Sequence, residues 1–137
     1  DRDEYAGLAT ALAASIARTS PAPSETARFA GEEWGRELAR DRGGDPESPE
    51  EAREEVVAML DDLGFAPAAD PERTDLVRLT RCPLLEAAHR YPGVVCEVHR
   101  GIVSGALATY GADPDGTDLV PFAEPGACLL TVPPADA

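Results

Sequence analysis

Proline and glycine cut this chain into short pieces, and their spacing limits what it can fold into. There are 13 prolines and 12 glycines in 137 residues. Proline can open a helix but cannot continue one, because it lacks an amide hydrogen and restricts the residue before it. Glycine closes helices by accepting positive φ. On this reading a first helix runs from Asp1 to about Arg18 and is broken at Thr19-Ser20-Pro21-Ala22-Pro23. Ser24 is the N-cap of a second, which extends to about Arg40. Ser48-Pro49-Glu50-Glu51 opens a third, with serine as cap, proline at the first helical position and Glu51 closing a capping box. Gly64 ends it. Pro83 starts a short helix through about Tyr91, and Pro92 a longer one through about Tyr110 that Gly111 stops.

Apolar spacing fills in the faces. Tyr5, Leu8, Leu12 and Ile16 share one side of the first helix, and Ala27, Ala30, Trp34 and Leu38 one side of the second. Gly31 and Gly35 lie one turn apart and permit close approach of another helix. Phe65 to Ala69 and Asp75 to Cys82 read as strands joined by Asp70-Pro71-Glu72-Arg73, with Val77 and Leu79 on one face. Asp118–Ala123 and Ala127–Val132 form a terminal hairpin around Glu124-Pro125-Gly126. The expected class is α+β: N-terminal helices, then a small antiparallel sheet in the order β-β-α-α-β-β with helices on one face. Residues 1–47 read as a helical connector or dimerisation region, 48–132 as an α+β domain and 133–137 as a disordered tail.

Length allows one domain with one core. The formal net charge of −14 argues against direct binding to nucleic acid or to an anionic membrane surface. No apolar run approaches a membrane span, and no signal segment is visible. The chain starts at Asp1, already in helical sequence, which suggests a further domain upstream. Three cysteines, an odd number without a secretion signal, point to reduced thiols and a cytoplasmic setting.

Cys82, Cys96 and Cys128 each fall at the end of an element. If the last strand pairs beside the second, those ends can meet. His99 follows Cys96 by three residues and shares its helical side. Three thiolates and an imidazole suit structural zinc, and three thiolates with a further ligand suit an iron–sulfur cluster. Packing as small apolar side chains is the competing role for the cysteines, and a Cys96–His99 nucleophile–base pair a third. His89 reads as a helix C-terminal charge. Trp34 with Phe29 reads as core, dimer contact or pocket lining. The acidic run from Glu47 to Asp62 reads as a solvated face. Asp113-Pro114-Asp115-Gly116 is not a calcium loop, and phosphate-binding glycine loops and nucleophile elbows are absent from the sequence.

The ordered set Cys82-Pro83-Leu84, Pro92-Gly93-Val94-Val95-Cys96-Glu97-Val98-His99, Leu119-Val120-Pro121-Phe122 and Gly126-Ala127-Cys128 resembles the C-terminal sensor half of bacterial winged-helix transcriptional regulators related to the iron–sulfur-assembly (SUF) operon repressor. The resemblance spans about Glu50 to Val132. It implies an upstream winged-helix domain that binds DNA as a homodimer, and a cluster held by Cys82, Cys96 and Cys128. A further cysteine expected shortly before Cys-Pro is missing from Leu76-Val77-Arg78-Leu79. Either His99, an outside ligand or solvent fills that position, or this chain senses something else.

The expectation is a non-catalytic sensor domain of a transcription regulator, holding an iron–sulfur cluster or zinc at Cys82, Cys96, Cys128 and His99. The alternative is a small-molecule effector domain without metal, its pocket near Trp34, Met59 and Phe65.

Overall fold

The computed structural model describes residues 2–132. Its elements are α1 (Arg2–Thr19), α2 (Pro23–Arg42), α3 (Pro49–Leu63), β1 (Pro67–Ala69), β2 (Leu76–Leu79), α4 (Leu85–Arg90), α5 (Pro92–Thr109), β3 (Asp118–Glu124) and β4 (Ala127–Thr131). The strands form one antiparallel sheet in the order β1-β2-β4-β3. The class is α+β, with the element order expected from the breaks. The expected tail, 133–137, lies outside the described residues.

Local signals explain most element edges. Ser48 Oγ accepts the Glu51 amide at 3.1 Å, while the Glu51 carboxylate accepts from Glu47 N–H at 2.7 Å, one residue ahead of the cap. Gly64 closes α3 at φ 99°. The start of α2 differs from expectation: Pro23 is already helical and Ala22 is the cap residue. Ser24 instead donates its hydroxyl to the Gly93 carbonyl at 2.9 Å, tying the starts of α2 and α5 together.

The buried stripe of α2 is Ala27, Gly31, Gly35 and Ala39, one row away from the expected Ala30, Trp34 and Leu38. The cause is a seam with α5 in which backbones touch. A Cβ on Gly31 would stand 2.1 Å from the Val98 carbonyl oxygen, and one on Gly35 2.2 Å from that of Ile102. From the other side, a Cβ on Gly101 would lie 2.3 Å from Arg28 O, and one on Gly105 2.1 Å from Glu32 O. No side chain fits there, so Trp34 and Leu38 are turned aside. Residues 23–42 therefore pack with the second half of the chain, and a boundary at residue 47 cuts across this seam.

The main core lies between the inner face of the sheet and helices α3 and α5. Val77 and Leu79 face it from β2, and Leu130 from β4; Val56, Met59, Leu60, Ile102 and Val103 meet them. On α1 the buried residues are Ala13 and Ala14, whereas Tyr5, Leu8 and Leu12 are exposed. Alanines suffice on that face because α1 lies close to Ala27, Ala87 and Ala88.

Candidate functional site

Strand pairing brings two cysteines to one end of the sheet. Leu79 is the register partner of Cys128, and the chain beyond Leu79 turns so that Cys82 and Cys128 line the same open cavity of about 690 Å³. His89 and Phe122 line it as well, their rings stacked at 4.2 Å. Phe122 adopts φ 54° within the irregular stretch of β3 between Val120 and Glu124. There its amide donates to Cys128 Sγ at 3.4 Å. Cys96 is buried on α5. Burial pushes its thiol up to about 12, and the nearby Cys128 and Cys82 add to the effect. Burial raises Cys82 too, against a Leu84 amide that favours the thiolate. Burial therefore disfavours the thiolate, the nucleophilic form, at Cys82 and Cys96.

The three thiols feel one another's charge, yet they do not form a cage. Among the described residues no group of three or more His, Cys, Asp or Glu side chains is placed to hold a metal ion. Cys128 packs at the edge of the main core, while Cys82 and Cys96 belong to a second apolar cluster. His99, the expected fourth ligand, faces a different cavity. Its ring meets Phe65 edge-on, with centroids 4.6 Å apart and planes at 83°. Burial alone lowers its pKa to about 4; no thiol contributes. The set Cys82, Cys96, Cys128 and His99 thus does not fit a zinc or iron–sulfur centre in this structure. A Cys96–His99 nucleophile–base pair is likewise not made. His99 lines the cleft and Cys96 does not, and no hydrogen bond joins the two side chains.

The cavity that His99 does face is a cleft of about 360 Å³ between α1, α2, α5 and the Phe65 corner. Its lining is hydrocarbon: Leu12 and Ile16 from α1, Val95, Val98 and Ile102 from α5, with Phe65 at one end. Trp34, 44% exposed, stands at the rim. Two of the three residues expected around a ligand are therefore here. Met59 is not; it is fully buried in the main core, sealed between α3 and the sheet.

His99 is the cleft's one ionisable side chain, and sequence reasoning assigned it to the thiols instead. The available signal was its place within the apolar row Val95, Val98, His99 and Ile102 on α5. His99 as a residue is 8% exposed, and its ring nitrogens make no hydrogen bond to another described residue. They are not sealed off either: among the described residues the only enclosed side-chain polar atom without a partner is Thr117 Oγ1. The polar edge of the imidazole therefore opens onto the cleft.

Comparison of the chain with family models, with curated proteins and with solved structures finds no match. No helix among the described residues is long and apolar enough to cross a membrane.

Proposed function

We propose that this chain is a non-catalytic effector-binding domain of a transcription regulator, and that the cleft between α1 and α5 is its ligand site. The cleft carries the reading. Its volume of about 360 Å³ falls in the range of small-molecule sites, roughly 300–1,000 Å³, and such sites are apolar with few polar groups. The regulatory context comes from the resemblance in the Cys-Pro, Val-Cys and Pro-Phe motifs, which implies a winged-helix DNA-binding domain upstream. Tyr5 and Leu8, exposed on α1 and not part of the cleft, are the proposed homodimer contact. A ligand wedged between α1 and α5 then bears directly on the helix nearest the DNA-reading part.

The test uses the uncharged dye N-phenyl-1-naphthylamine and the emission of Trp34, the only tryptophan in the chain. Ala9 lines the cleft and is only half-buried, so Ala9→Phe fills the space without invading the core. The native chain should bind the dye with a change in Trp34 emission. Ala9→Phe should lose that binding and keep its helical circular dichroism, and Cys96→Ala should leave it intact. Undiminished binding by Ala9→Phe overturns the assignment.

A further inference from the structure

A nearly buried imidazole without a protein partner, bordering a cleft of hydrocarbon side chains, is an unusual thing to leave in a folded chain. Burying a polar group without a partner is unfavourable, and a partner offered later regains what was lost. Within the cleft, Phe65 meets the His99 ring edge-on at 4.6 Å. A molecule in the cleft is the available partner.

The chemistry of that molecule follows from three features. Burial keeps the ring uncharged at neutral pH. A neutral imidazole has one nitrogen that donates and one that accepts. No cationic side chain lines the cleft. An ionised carboxylate or phosphate would be stripped of water with no cation to meet it. A hydroxyl donates and accepts, so it satisfies whichever nitrogen faces inward. We propose that His99 is the specificity-determining residue of this cleft, selecting an uncharged, mainly hydrocarbon ligand that bears one hydroxyl group. This assignment rests on the cleft being a ligand site.

The experiment titrates the native chain at neutral pH with n-octanol, with n-octyl chloride and with octanoate, following Trp34 emission and calorimetric heat. The ratio of octanol to octyl chloride affinity is the quantity of interest, because it cancels the shared hydrocarbon burial. His99→Leu should lower that ratio about tenfold, the size of one buried hydrogen bond, and His99→Gln should largely retain it. A second measurement needs no variant. The isotope-labelled imidazole nitrogens of His99 should shift in NMR spectra on adding octanol and stay put with octyl chloride. Equal ratios in native and His99→Leu chains, or an unmoved imidazole at saturating octanol, overturn the hydroxyl assignment while the cleft reading stands. Tight octanoate binding with protonation of His99 overturns it in favour of a carboxylate site. Failure of all three probes to bind removes the cleft reading itself.

Discussion

The environment of His99 gives it a pH signature as well as a ligand. In the unfolded chain an imidazole titrates near 6.5, whereas burial lowers it to about 4 in the fold. Between those values the unfolded chain binds the proton and the native one does not. Stability from this group is therefore full above about pH 6.5 and is lost as pH falls toward 4. Urea titrations from about pH 7.5, a unit above the free imidazole value, down to about pH 4.5, close to the folded value, should show the native chain losing stability relative to His99→Leu. A constant difference between the two across that range would show that the ring is hydrated.

At the scale of elements, α2 and α5 carry the tightest demand. Gly35→Ala drives a methyl group against the Ile102 carbonyl at 2.2 Å, where neither side is a flexible chain end. Separating the two helices should cost about 3 kcal/mol or more, at the upper end of overpacking effects. Gly7→Ala on α1, where nothing lies within 4 Å, is the control and should stabilise by up to about 1 kcal/mol through helix propensity. Denaturant midpoints of the two variants test the contrast. Element order was legible because prolines and glycines act locally: Pro49, Gly64 and Pro92 each mark an edge by their own backbone chemistry. Faces were less legible. Ala30 and Trp34 look apolar in sequence and yet are exposed, because Gly31 and Gly35 win the contact by being small. The site was half legible for a similar reason. Trp34 and Phe65 are large and must line something, whereas the destination of Met59 and the aim of His99 depend on which way α5 is rotated against α3 and the sheet.

Across the whole molecule, 26 acidic side chains face 12 arginines. Some arginines are held in local bridges: Arg42 to Asp62, and Arg78 between Asp70 at 2.6 Å and Glu124 at 2.8 Å. These are exposed or partly exposed pairs of small net worth, so self-repulsion of the excess acid should dominate. Raising salt from about 0.01 M to about 1 M shortens the screening length from roughly 30 Å to 3 Å and should raise the melting temperature. A fall would mean that the Arg78 and Arg42 pairs outweigh the repulsion.

The glycine seam also decides which parts can respond to an occupant. With no side chains between them to act as a cushion, α2 and α5 behave as one double-thickness strut. One bank of the cleft is that strut, and the other is α1, which leans on its neighbours through alanine methyls. A guest molecule too bulky for the gap has one soft direction to push, so α1 is the lever, and whatever is attached to its outer face moves with it.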